Sequence, residues 1–178
     1  MAWRATPAGR DHGSVDVTVR RVRADEWREY RTLRLEALKD SPLAFVEQYD
    51  EVRTRPDTFW RERVGNASAG TGSGTFVAVA GGRLVGKASC FTEPDRTAQV
   101  VGVYVTPIWR GSGVADALVA AAVAWAREEA RAARVRLYVL DVNERAHAFY
   151  RRIGFVATGA TMEYPPDPSY TEIELEYR

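Results

Sequence analysis

Cysteine, histidine and lysine are nearly missing from this chain of 178 residues, which has one cysteine, two histidines and two lysines, Lys39 and Lys87. A lone Cys90 excludes an intramolecular disulfide framework, and with only His12 and His147 beside it no metal site is expected. Cys90 falls in a strand-like run and reads as a buried, inert thiol rather than a nucleophile. Long apolar runs are missing too. The longest, 117–126, is about half a membrane span, and the first residues hold no apolar signal-peptide core, so a cytoplasmic chain with no membrane partner is expected. Net charge is close to zero: 25 basic against 24 acidic residues leave +1, which argues against a nucleic-acid partner.

What is there is arginine and alanine, a composition that points to a high-GC bacterial genome, in the proportions of a soluble globular protein. The length suits one domain, read as 15–178 behind a polar, flexible lead-in, 1–14, that carries no periodicity. Val15, Val17 and Val19 alternate with polar residues as a half-buried strand. A helix opens at Ala24-Asp25-Glu26, with Trp27, Tyr30, Leu33, Leu35 and Leu38 as its apolar stripe and Arg28, Arg31 and Arg34 on a face read as solvated rather than phosphate-reading. Ser41-Pro42 ends it, and a second helix starts near Pro56-Asp57. Residues 65–74 (GNASAGTGSG) read as a flexible loop. Three strands follow, with Gly81-Gly82 and Pro94-Asp95 at the turns, then helix, strand, helix and two more strands. This order fits an α/β fold with a mixed central sheet of about seven strands and helices on both faces.

Residues 103–115, VYVTPIWRGSGVA, pass from an apolar strand through a glycine-rich turn into a helix. First-turn N–H groups have no partner inside the helix, and the helix dipole favours an anion there. Gly111 and Gly113 let the backbone approach a phosphate closely, and Arg110 adds a cation. No lysine follows the glycines as a P-loop requires, and Asp116 stands where a dinucleotide fingerprint needs a third small residue. The remaining spacing, Arg110-x-x-Gly113-x-Ala115 after Val105-Thr106-Pro107, resembles the coenzyme A pyrophosphate loop of the GCN5-related N-acetyltransferase (GNAT) superfamily. About thirty residues on, LYVLDVNERAHAFYRRIGF is similar to that family's second signature at Leu137, Val139, Asn143, Ala146, Phe149, Tyr150, Gly154 and Phe155. From its residues alone this stretch is only a strand, an amphipathic helix and an exit into a strand.

The resemblance implies a bacterial acetyltransferase of GNAT fold, its sheet splayed at the acetyl-CoA site. It implies that Arg110, Gly111, Ser112, Gly113, Val114 and Ala115 hold the pyrophosphate of coenzyme A, that Val103 and Val105 pair with the pantetheine arm, and that Asn143 hydrogen-bonds beside it. Tyr150 would sit at the sulfur as the acid for the leaving thiolate, or merely pack there: a phenol of pKa ~10 donates to a thiol near ~8.5 at modest cost. A backbone N–H near Val105 would polarise the acyl carbonyl. Many relatives carry a glutamate base where this chain has Gln99, so Glu47, Glu51, Glu93 and Asp95 are substitutes, each equally readable as a solvated charge. The acceptor, a small-molecule or peptide amine, is expected among Phe45, Tyr49, Glu51, Gln99 and Tyr164, with Tyr170 nearby. Two functions remain open: an N-acetyltransferase acting in a ternary complex, or a non-catalytic acyl-CoA-binding sensor or scaffold. Many members of the family pair, so a homodimer is compatible with either.

Overall fold

The computed structural model describes residues 2–5, as backbone, and 15–178. Strand β1 (Ala2–Ala5) and β2 (Val15–Arg21) lead to helix α1 (Trp27–Asp40), a one-turn α2 (Tyr49–Val52) and α3 (Asp57–Ser68). Three antiparallel strands follow, β3 (Ser73–Ala80), β4 (Arg83–Thr92) and β5 (Thr97–Val105), then α4 (Val114–Glu128), β6 (Arg134–Leu140), α5 (Glu144–Arg152), β7 (Phe155–Glu163) and β8 (Thr171–Tyr177). They form one eight-stranded sheet in the order β1-β2-β3-β4-β5-β6-β8-β7.

The mixed sheet with helices on both faces is as read from the sequence. Helices α1 and α3 cover one face through Trp27, Tyr30, Leu33, Trp60 and Val64, and α4 covers the other through Val114, Leu118, Ala122 and Trp125. Spacings of three and four residues place each set on one side of its helix. Cys90 is 1% exposed, and burial pushes its thiol up to about 12, which leaves it inert. Among the described residues no helix is long and apolar enough to cross a membrane, and no cluster of metal-ligating side chains forms.

Three expectations are corrected. Ala2–Ala5, within the stretch read as an unstructured lead-in, pair with β2 as an edge strand; residues 1 and 6–14 lie outside the described set. Residues 65–68 continue α3 and 73–74 begin β3, because the burial of Ala67 and the pairing of Ser73 with Phe91 outweigh a loop-like composition. Arg34 is not on a solvated face. It is 4% exposed, on the same buried side of α1 as Tyr30, Leu33 and Leu38.

Two features of the sheet open it at its centre. Strands β5 and β6 are parallel but pair only over Thr97–Gln99 and Arg134–Arg136, then separate. Opposite β4, the register of β5 slips: Lys87 faces Tyr104 and Ser89 faces Val101, so Gly102 and Val103 together oppose Ala88. This bulge switches which residues face α4, from Ala98 and Val100 before it to Val103 and Val105 after it. Gly102 sits at φ +62°, in the left-handed region.

Candidate functional site

Pro107, unable to donate to a ladder, ends β5 and opens a single 3-10 turn, Pro107–Trp109. Gly111 and Gly113 follow at φ +79° and +86°. A Cβ at either would meet nothing within 4 Å, so glycine is required there by backbone conformation rather than by space. Gly113 caps α4 without a side chain, which leaves the first-turn N–H groups to whatever lies in front of them. The Ser112 hydroxyl donates to the Trp109 carbonyl at 2.6 Å and fixes the turn. Arg110 braces it as well: Nε donates to the Val105 carbonyl at 3.1 Å and the guanidinium pairs with Asp40.

In front of the turn lies a cleft of about 770 Å³ where β5 and β6 diverge. It is lined by the expected Val103, Val105, Arg110, Gly111, Gly113, Ala115, Asn143 and Tyr150. Ser112 and Val114 do not line it. Val114 is fully buried under the sheet, and Ser112 acts through the turn it closes. Ser41, Pro42, Leu43 and Ala44 form a wall that sequence reasoning did not place at this site. Asp116 and Arg152, paired at 2.6 Å, also line it, as does Arg145, which has no carboxylate partner among the described residues.

Helix α5 presents Asn143 and Tyr150 to the cleft. Asn143 is its N-cap, Oδ1 accepting from the Ala146 N–H at 3.1 Å, so one end of the amide is already committed. Tyr150 packs edge-on to Phe149 and Phe155 at centroid distances of 4.9 and 5.6 Å. Burial pushes its phenol up, which keeps the hydroxyl protonated as a donor.

The residues expected to hold the acceptor lie elsewhere. Phe45 and Tyr164 are buried, and the Tyr164 hydroxyl donates to the Phe45 carbonyl at 2.7 Å. Tyr49 is half-buried under Lys39, Glu51 is exposed, and Gln99 is half-buried on β5 between Phe91 and Arg136. None of the five lines the cleft. Glu93 is tied to Arg136 at 2.6 Å, and Asp95 accepts from Thr97. On β8, Glu172 sits opposite Leu140, which does line the cleft. Glu172 is half-buried, has no cationic partner among the described residues, and has its carboxyl pushed up by burial. Its position in the last strand carried no signal in the sequence.

Beneath the bulge is a charge cluster that sequence reasoning also missed. Lys87 is 1% exposed, and its Nζ donates to the Gly102 carbonyl at 2.7 Å. Glu47 pairs with Arg34 at 2.6 Å and Arg63 at 2.7 Å; burial pushes its carboxyl up, but the two guanidiniums prevail and bring it to about 2. Burial, then the charges of Arg34 and Arg63, hold the Lys87 amine well below the usual lysine range. Among the described residues Arg34 Nε and Nη1 have no hydrogen-bond partner, and its guanidinium lies 4.5 Å above the Phe45 ring. The available signal was a lysine in an otherwise apolar strand of a chain with only two.

A family model described as the acetyltransferase (GNAT) family matches residues 21–155. An uncharacterised N-acetyltransferase of Mycobacterium bovis is 37% identical over 78 residues, which is 44% of this chain and 49% of that protein; the match thus spans about half of the relative's length. The GNAT-family acetyltransferase of Streptococcus pneumoniae superposes with a TM-score of 0.74 at 15% identity, covering 90% of this chain and 98% of that one. The PaiA N-acetyltransferase of Thermoplasma acidophilum, solved in complex with coenzyme A, gives 0.70 at 16% identity over 90% and 99%. At these identities the structural likenesses speak for the fold.

Proposed function

The chain belongs to the acetyltransferase (GNAT) family, and from that premise we propose that it transfers an acetyl group from acetyl-CoA to a primary amine, a small molecule or a protein N-terminus or lysine, by direct attack in a ternary complex. The observation that carries this reading is the glycine turn at the start of α4 opening onto a cleft of about 770 Å³ between the parting β5 and β6. The left-handed glycines, the uncapped helix start and an apolar channel beyond them fit a pyrophosphate with a long thin arm. Bound there, acetyl-CoA would supply an acyl group activated as a thioester.

The chain's residues would do the rest. The turn from Gly111 to Ala115 holds the anion through backbone N–H groups, and Arg110 keeps the turn in shape through Val105 and Asp40. Val103 and Val105 offer the backbone edge that β6 leaves unpaired. A backbone N–H at the bulge meets the charge that develops on the acyl oxygen. The Tyr150 phenol, protonated across the neutral range, donates to the departing thiolate. Gln99 cannot take a proton, so we assign the base to Glu172: burial raises its carboxyl, and it is the strand partner of Leu140, which lines the cleft. Gln99 is also what motivates the second reading, an acyl-CoA-binding module without turnover.

Calorimetry with acetyl-CoA on the wild type and on Gly113→Glu tests the cofactor assignment. The glutamate should abolish binding while leaving the circular dichroism spectrum unchanged; equal binding by both proteins removes the turn as the cofactor site. A thiol-release assay over a panel of amines then separates the two readings, since the module binds but releases no thiol above background.

A further inference from the structure

We propose that Lys87 is a positioning residue for acyl transfer, holding the Gly102 carbonyl so that the Gly102–Val103 peptide presents a polarised Val103 N–H to the cleft. The proposal rests on the acetyl-CoA reading above.

The bulge creates the need. Placing Gly102 and Val103 opposite Ala88 takes the Gly102 carbonyl out of the regular ladder, beneath α1, where a buried carbonyl without a donor is costly. Lys87 Nζ supplies the donor at 2.7 Å. The chain has no cis peptide bond among the described residues, so the N–H of Val103 points opposite to that carbonyl, away from Lys87, and Val103 lines the cleft. Donation to a peptide carbonyl draws electron density toward the oxygen and makes the N–H at the other end of the same unit a stronger donor. The Gly102 side of the arrangement is tight as well: a Cβ there would lie 2.9 Å from Lys87 Nζ.

A structural prop would not call for an amine at this position. Tyr30 and Arg34 face the pocket around Lys87 from α1, Arg63 from α3, Glu47 from the loop before α2, and Tyr104 from β5. Three basic groups therefore share one carboxylate, already bound to both arginines. Keeping a lysine in such surroundings is expensive, whereas a neutral donor would satisfy the carbonyl at less cost. What the protonated amine adds is polarising power, greatest in a site shielded from water, and donation to the Gly102 carbonyl at 2.7 Å works against the burial that favours its neutral form.

The test uses acetyl-CoA labelled with ¹³C at the thioester carbonyl, followed by isotope-edited infrared difference spectroscopy on the full-length protein. Bound to the wild type, the labelled stretch should lie at lower wavenumber than in water. In Lys87→Met it should return toward the value in water while the dissociation constant for acetyl-CoA stays within about twofold, and thiol release with the fastest amine of the panel should fall about tenfold. Lys87→Gln, which keeps a neutral donor, should fall between the two and serves if the methionine variant does not fold. A stretch that is unshifted in the wild type, or the same in wild type and variants, overturns the role of Lys87 while leaving the cofactor site standing. No binding of acetyl-CoA by the wild type overturns both.

Discussion

Tyr164 and Phe45 are separated by 119 positions in the chain and joined by a hydrogen bond of 2.7 Å, phenol hydroxyl to backbone carbonyl, with both residues buried. The bond ties the end of the β7–β8 hairpin to the segment that carries Ser41–Ala44, the wall of the cleft. Two aromatics that the sequence placed around an acceptor thus shape the site indirectly. Tyr164→Phe should cost about 1 kcal/mol, because the buried Phe45 carbonyl loses the shorter of its two donors and keeps only the Gln48 amide at 3.1 Å. Urea denaturation of the two proteins measures it; an unchanged midpoint would show that water replaces the hydroxyl.

Glu47 is the carboxylate that two arginines share, and its carboxyl is held at about 2 against an ordinary 4.5. A depressed carboxyl stabilises the fold fully above its unfolded value and loses that contribution as pH falls. The loss should therefore run from about pH 4.5 down to about pH 2. Glu47→Gln should destabilise the protein at pH 7 by about 2 kcal/mol, reduced from a fully buried pair by its partial exposure, and should flatten the acid limb. Thermal melts from pH 7 to pH 2.5 on both proteins read the difference between them. Curves that stay parallel throughout would remove Glu47 as the group responsible.

Tyr150→Phe should leave the affinity for acetyl-CoA within about twofold and lower turnover by about a hundredfold, the range of a general acid. Because burial raises the phenol above its ordinary value, turnover of the wild type should show no loss from Tyr150 ionisation as pH rises to about 10. Binding by calorimetry and thiol release against pH separate the two effects. Unchanged turnover would leave Tyr150 a packing residue against Phe149 and Phe155.

Glu172→Gln tests the base. A base must be ionised to act, and burial raises this carboxyl, so wild-type turnover should fall as pH drops through a value above the ordinary carboxylate range. The variant should lose that limb and about a hundredfold in turnover at pH 7, with acetyl-CoA binding unchanged. An identical pH profile in the variant would return the role to water or to the amine itself.

Much of the glycine turn and of the start of α5 was legible because their determinants are local. A turn that needs φ above zero twice demands glycine at 111 and 113, and a helix that starts without a side-chain cap demands nothing but the turn before it. The same holds for Asn143, whose cap is made three residues away at Ala146. The surroundings of the residues expected around an acceptor were not legible. Phe45, Tyr49 and Tyr164 are aromatics of the kind that line pockets and cores alike, and only their neighbours distinguish the two uses. Arg34 shows the same limit: its spacing fits both faces of α1 until Glu47 is brought beneath it.

The sequence by itself determined the alternation of strands and helices, the glycine turn and the cap of α5, since each depends on contacts within about four residues of chain or on a single residue's backbone preference. Only the tertiary structure decided where the sheet opens and what lies under the opening. The parting of β5 and β6, the bulge opposite Ala88, the Lys87–Gly102 contact and the place of Glu172 beside Leu140 all join segments distant in sequence. Their charges and hydrogen bonds have no local signature because a buried polar group is set by the partner that compensates it, and that partner is chosen by packing.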